Sequence, residues 1–301
     1  MKIKYWEKLL SHRGRGFNFE ENTLEVVRKI ISLDIKYVEI DVRLSKDNVY
    51  FLYHNPIFKD GFKKFNFKDL NSTEIEKIKY KKTGQKIPKL EEILKIFKSE
   101  KKEGQILAID LKDFGREEEL LNLIQKYDLL KSVILFSWTP QSLFKFDKIF
   151  QEKPEYKIPI FFSHTRIDSI FNHFFFTYFI NLFKNFVSFK DILFLNNYTY
   201  KKDLGKFSKG YRHVVYFEEF PKDILEILEK TNGGICASVK NSYFPKWGLK
   251  YFRFFKNHNL KVAVYGTFFG ILKLDRKKFF ENLAKQKEID IVFMDDLSDI
   301  L

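Results

Sequence analysis

Tyr37-Val38-Glu39-Ile40-Asp41-Val42 sets two carboxylates into an otherwise apolar six-residue run. Side chains alternate along a strand, so Glu39 and Asp41 share one face while Val38, Ile40 and Val42 share the other. Two neighbouring carboxylates in a buried strand are costly unless a cation or a proton lies between them. Strand-type runs recur at residues 8–11, 49–53, 106–111, 133–136, 158–162, 235–239, 262–265 and 291–294. Segments with helical spacing lie among them, at 23–33, 90–98, 117–127, 223–230 and 277–285. Alternating βα units argue for a parallel sheet covered by helices, and about eight of them fit a (β/α)8 barrel better than an open sheet. A doubly wound nucleotide fold would want a glycine-rich first turn, and Gly14-Arg15-Gly16 has Phe19 where the third glycine belongs. The fold expected is α/β, a single TIM (β/α)8 barrel over residues 1–301.

Asn22 or Thr23 is placed to cap the first helix, and Pro88 with Leu90-Glu91-Glu92 opens another. Residues 59–103 hold 14 Lys against 8 Asp and Glu and read as exposed loop and helix surface. Across 301 residues the net charge is +14, from 54 Lys and Arg against 40 Asp and Glu. That excess suits an acidic partner, but the lysines are dispersed rather than gathered on one arm, so no nucleic-acid ligand is expected. Cys236 is the sole cysteine, which excludes an intramolecular disulfide and a thiolate metal site. It sits in an apolar stretch that suits a buried structural thiol. No signal-peptide pattern and no run of about 18 apolar residues is visible, so a cytoplasmic protein is expected.

In such a barrel, chemistry belongs where strands end and βα loops begin. His12-Arg13-Gly14 follows the first strand run, His54 ends the run 49–53, and Asp110 with Lys112 closes the run 106–111. A lone carboxylate or histidine is usually a solvated or packed residue; their concentration at strand ends argues for a site. Glu39, Asp41 and Asp110, with no cysteine available, suggest one hard divalent cation, Mg2+ or Ca2+. His12 and His54 suit acid–base work near neutral pH, and Arg13 and Lys112 supply charge for an anionic substrate. Cation, acid–base pair and cationic clamp together are what phosphodiester cleavage requires.

These residues resemble the glycerophosphodiester phosphodiesterases. His12-Arg13-Gly14 with Glu21-Asn22-Thr23 resembles their opening signature, and Glu39-Ile40-Asp41-Val42, Ser45-Lys46-Asp47 and His54 their second segment. Ile87-Pro88-Lys89-Leu90-Glu91-Glu92 and Ala108-Ile109-Asp110-Leu111-Lys112 are similar to later segments, while Phe136-Ser137, 262–265 and 291–295 fit more loosely. The resemblance implies hydrolysis of glycerophosphodiesters to glycerol 3-phosphate and an alcohol. It implies Glu39, Asp41 and Asp110 on the metal, His12 and His54 as acid and base, and Arg13 and Lys112 on the phosphate. Asn55 stands where the family usually has Asp, Asp110 where it has Glu, and Tyr265-Gly266-Thr267 where it has a tryptophan-bearing strand end.

About seventy residues separate Phe162 from Gly234, so an inserted helical segment after strand 5, about 164–232, is expected. Within it, 167–190 carries a narrow polar stripe and a wide phenylalanine face. Two readings stay open: a barrel helix packed on the sheet, or a helix lying in a membrane interface or roofing a greasy substrate pocket. The second would admit a lysolipid substrate beside a small-molecule diester. Two alternatives accompany the main reading: a lysophospholipase D-like or sphingomyelinase D-like enzyme on the same barrel, and an inactive barrel that binds a phosphorylated ligand.

Overall fold

The computed structural model describes residues 5–33, 35–60, 63–80, 83–167, 192–194, 212–216, 220–238, 245–265 and 276–298. Among them the strands are, in chain order, β1 (Leu9–Ser11), β2 (Tyr37–Leu44), β3 (Tyr50–Leu52), β4 (Ile57–Asp60) and β5 (Lys63–Asn66). They continue with β6 (Ile106–Leu111), β7 (Val133–Ser137), β8 (Ile160–Ile167), β9 (Ile192–Phe194) and β10 (Arg212–Tyr216). The last are β11 (Gly234–Ser238), β12 (Lys261–Tyr265) and β13 (Ile291–Met294). Strands β1, β2, β6, β7, β8, β11, β12 and β13 pair in parallel in that order, and β13 pairs back with β1, closing an eight-stranded barrel.

The two-residue period of each strand sorts the core into two regions. Outward side chains such as Val38, Ile40 and Val42 join Val26, Val27, Ile30, Leu90, Leu94 and Phe97 of the surrounding helices in one large cluster. Inward side chains form a second cluster that fills the barrel: Leu10, Ala108, Phe136, Phe161, Cys236, Ala263 and Phe293 are among its members. Small Ala108 and Ala263 leave room for the rings of Phe136, Phe161 and Phe293. Each such ring or leucine contributes roughly 1.5–3 kcal/mol by leaving water. The interior is therefore solid, and polar chemistry is confined to the mouth at the strand C-termini. Cys236 lies inside it, and burial, Asp110 and Glu39 together push its thiol well above the ordinary range despite a hydrogen bond with Ser163.

Several boundaries differ from the sequence expectations. Lys8 belongs to a 3-10 turn, Trp6–Lys8, ahead of β1. The run 49–53 becomes β3, which pairs antiparallel to the end of β2 and stays outside the ring, so it carries His54 back toward the mouth. The run expected at 158–162 starts at Ile160 and continues to Ile167, because β10 pairs with its far end and β9 pairs with β10. Two helices fill gaps in the βα alternation, Pro140–Glu152 and Pro245–Asn257. Leu143, Phe146, Ile149 and Phe150 give the first its buried stripe.

Residues 59–103 are more than exposed surface. The β4–β5 hairpin and the segment behind it enclose a small core of their own, Phe51, Phe67, Ile75 and Ile87 with Tyr53, Phe58 and Tyr80 against it. At the first helix, Leu24–Ser32, Thr23 is the N-cap residue but no side chain caps the helix, because Thr23 Oγ1 donates to the Glu20 carbonyl and Asn22 is engaged with Asp41. The helix expected over 167–190 lies outside the described residues except for Ile167, as do Gly266 and Thr267.

Candidate active site

Parallel register sets Glu39 beside Ala108 and Asp41 beside Asp110, all on the inward face of β2 and β6. Glu39 and Asp41 are fully buried and Asp110 is 6% exposed. Each offers one carboxylate oxygen, and those three oxygens lie within 4.8 Å of one another. The turn after β1 closes over them. Arg13 and Gly14 both have positive φ, 56° and 70°, which turns the Arg13 N–H onto Glu39 Oε2 at 2.6 Å. Gly14 is required there twice over: its φ favours glycine, and a Cβ would meet Val26 Cγ2 at 2.5 Å. Arg13 Nε lies 3.0 Å from Asp41 Oδ2, and Lys112 Nζ lies 2.8 Å from Asp41 Oδ1 and also contacts Asp110 Oδ2. Asn22 donates to Asp41 Oδ2 at 2.8 Å and accepts from the Asp41 N–H at 3.0 Å.

Burial, then Asp41 and Asp110, pushes the Glu39 carboxyl well above the usual carboxylate range. Burial acts on Asp41 in the same direction, but Lys112 and Arg13 outweigh it and hold that carboxyl far below the range. The site has one carboxyl more than Arg13 and Lys112 can compensate, so Glu39 ionises only with a further positive charge beside it. Glu39 Oε1 and Asp110 Oδ1 are buried without a hydrogen-bond partner, a costly state that a hard cation relieves. All-oxygen donors and the absence of nearby thiolate fit Mg2+ or Ca2+ better than a soft metal.

His12 and His54 both lie close enough to this cluster to help hold the Asp41 carboxyl down, after Lys112 and Arg13. His12 Nδ1 contacts Asp295 Oδ1, at the residue following β13. Asp295 accepts only, so Nδ1 carries the proton and Nε2 is the nitrogen left for exchange. His54 follows β3, its carbonyl accepting from Arg43 Nε at 2.9 Å and its Nδ1 lying 3.1 Å from Asn55 Oδ1. Asn55 thus orients the imidazole through its amide oxygen where the family pattern has a carboxylate. Burial pushes the His54 ring down to about 3, with Lys112 and Arg13 opposing the lift from Asp41.

The model of the glycerophosphoryl diester phosphodiesterase family matches residues 12–173. The chain belongs to this family. A glycerophosphodiester phosphodiesterase of Caldanaerobacter subterraneus is 29% identical over 151 residues, a stretch covering 45% of this chain and 59% of that protein. One from Bacillus altitudinis is 26% identical over 154 residues, 47% of this chain and 62% of its own length. The chain thus matches about three-fifths of the length of these relatives. A glycerophosphodiester phosphodiesterase structure from Agrobacterium tumefaciens superposes with a TM-score of 0.58 at 14% identity, covering 97% of this chain and 98% of that one. An Oleispira antarctica phosphodiesterase, solved with the product sn-glycerol-3-phosphate, gives 0.57 at 18% identity, covering 97% and 94%. These similarities extend the barrel beyond residue 173.

All seven residues singled out in the sequence fall at the mouth of this glycerophosphodiesterase-type barrel. Four supporting residues escaped that reading. Asp295 directly follows β13, and the strand-end logic that marked Asp110 in β6 could have marked it. Arg43 continues the inward period of Glu39 and Asp41; its Nη1 reaches Asp113 Oδ1 at 3.2 Å, and Asp113 also accepts from the Leu44 N–H. Asn22 read as a helix cap. The mouth also carries an aromatic pair: Trp138, one residue past β7, meets Tyr265 at the end of β12 edge-on, with ring centroids 5.6 Å apart. Tyr265 stands where the family pattern has tryptophan, and Trp138 supplies an indole from the end of β7.

Proposed function

We propose that this chain, one barrel domain over residues 1–301, is a divalent-cation-dependent phosphodiesterase that cleaves glycerophosphodiesters to glycerol 3-phosphate and an alcohol. The convergence of Glu39, Asp41 and Asp110, with orphaned oxygens on two of them, carries this reading. These three residues would hold the cation, Mg2+ or Ca2+, which when bound draws charge from a phosphate oxygen. Arg13 and Lys112 flank the same space and offset the remaining negative charge of the diester.

His54 is the base candidate, because the Asn55 amide oxygen orients its ring from Nδ1 and leaves Nε2 to accept a proton. It takes the proton from a glycerol hydroxyl of the substrate, whose oxygen bonds to phosphorus as the bond to the alcohol oxygen breaks. His12, backed by the Asp295 carboxylate, is equipped to carry positive charge and gives its proton to the departing alcohol. Water then opens the resulting cyclic phosphate, with the two histidines in exchanged roles, and glycerol 3-phosphate leaves. The relative from Caldanaerobacter and the product-bound fold of Oleispira support the substrate class.

The test is turnover of glycerophosphocholine, lysophosphatidylcholine and a chromogenic diester, with and without EDTA. EDTA-sensitive release of glycerol 3-phosphate is expected. Preference for lysophosphatidylcholine would favour the lysophospholipase D alternative. Absence of turnover on every diester, with a metal-saturated folded protein, would favour the inactive barrel.

A further inference from the structure

Among the described residues, the large apolar side chains that stand exposed are Phe19 at 43%, Ile57 at 45% and Phe65 at 37%. They belong to one side of the molecule. Ile57 and Phe65 are on the β4–β5 hairpin, and Asn55 and Pro56 are all that separate that hairpin from His54. Phe19 lies in the loop after β1, which is tied to the same unit by the Glu20 N–H donating to Gln85 Oε1 at 3.2 Å. Tyr53, Phe58, Phe67 and Tyr80 bind the hairpin into the small core around Phe51, so it is a packed unit rather than a loose arm.

Charge accompanies this exposed apolar surface. Residues 77–89 contain six lysines and no Asp or Glu. Lys79 and Lys86 face each other across a β-bridge, and both are exposed together with Lys64 and Lys77. Exposed aromatic and aliphatic side chains in one unit with exposed lysines match the interface of an anionic bilayer, where rings enter the headgroup boundary and ammonium groups meet phosphate. Ile57 pairs with Asn66, and Phe65 with Phe58, so the two exposed residues lie on opposite faces of a two-stranded ribbon. Each face of the ribbon thus offers an exposed apolar side chain beside lysine, as an amphipathic headgroup contact requires.

We propose that Ile57 and Phe65 of the β4–β5 hairpin, Phe19 and the exposed Lys64, Lys77, Lys79 and Lys86 form a docking surface for anionic lipid bilayers beside the His54 side of the barrel mouth. It is independent of the phosphodiesterase reading, since membrane partition is measured without turnover.

Co-sedimentation of the full chain with phosphatidylcholine vesicles, with and without phosphatidylglycerol, tests it. Binding is expected only with phosphatidylglycerol, weakening as salt rises. Ile57→Ser with Phe65→Ser, and separately Lys79→Gln with Lys86→Gln, should each lower partition by about tenfold. Unchanged melting and unchanged turnover of a soluble diester show that the fold and the catalytic site survive these changes. The proposal is overturned if vesicles are not bound, if the hairpin variants bind as the parent does, or if Phe175→Glu with Phe179→Glu alone removes binding. Loss of self-association, rather than of vesicle binding, in the hairpin variants would overturn it in favour of a second copy.

Discussion

At the barrel mouth, the wall made by β1, β2 and β6 and the aromatic wall that Trp138 after β7 forms with Tyr265 at the end of β12 have different chemistry. The first, with the turn after β1, carries Arg13, Glu39, Asp41, Asp110 and Lys112, each bonded to another member of the set. The second carries Trp138 and Tyr265 over the packed rings of Phe136, Phe161 and Phe293. Buried charges demand compensation within a few ångströms, so each charged residue on the first wall constrains its neighbours. Aromatic rings ask only for volume and a polar tip, so many sequences make an equivalent second wall. The first wall is therefore suited to bond-breaking and the second to shaping the pocket for the alcohol.

The sharpest way to break this comparison is Asp41→Asn. That change removes the carboxylate bonded to Arg13, Asn22 and Lys112, and turnover should fall to background with loss of Mg2+ binding by calorimetry. A variant that still binds Mg2+ and turns over would show that the acidic wall is structural. Next in size, His12→Ala and His54→Ala should each lower kcat by roughly 10²–10⁴. Near-native kcat in either would remove that ring from the acid–base pair.

Trp138→Ala tests the other wall. KM for diesters with bulky or cationic alcohols should rise about tenfold, while kcat changes less, as expected when stacking is lost without loss of charge. A fall in kcat as large as that of the histidine variants would merge the two walls into one function.

The smallest effect expected is on stability. The folded chain holds the His54 ring down at about 3, against 6.5 for an unperturbed ring, so below pH 6.5 the unfolded chain binds a proton that the folded chain refuses. Stability from this group is present above about 6.5 and is lost progressively as pH falls toward 3. In the metal-free protein, His54→Gln should flatten the fall of Tm across that window by a few degrees. A parallel loss in parent and variant would mean that the ring is solvated rather than held neutral.

How much was legible follows the same division. Glu39, Asp41, Asp110 and Lys112 could be read because a two-residue period and a strand end place them unambiguously. Asp295 obeys the same rule, yet it follows a short run whose neighbours resemble the family only loosely. Trp138 and Tyr265 carry no periodic or charge signal that separates a pocket ring from a core ring. The lysines of 77–89 read as solvated surface because no spacing in them reveals the hydrophobic unit on which they are mounted.

By itself the sequence determined the parallel βα alternation, the inward face of β2 and β6, and the residue types that can hold a hard cation. All of these follow from local period and from the cost of burying charge. Tertiary structure decided the rest: that β13 closes on β1 and so brings Asp295 to His12, that β3 folds back to deliver His54, and that Asn22 serves Asp41 instead of a helix. Each of these joins residues remote in the chain or redirects a donor between two local uses. Such choices are settled by the packing of the closed barrel, not by the propensity of any one segment.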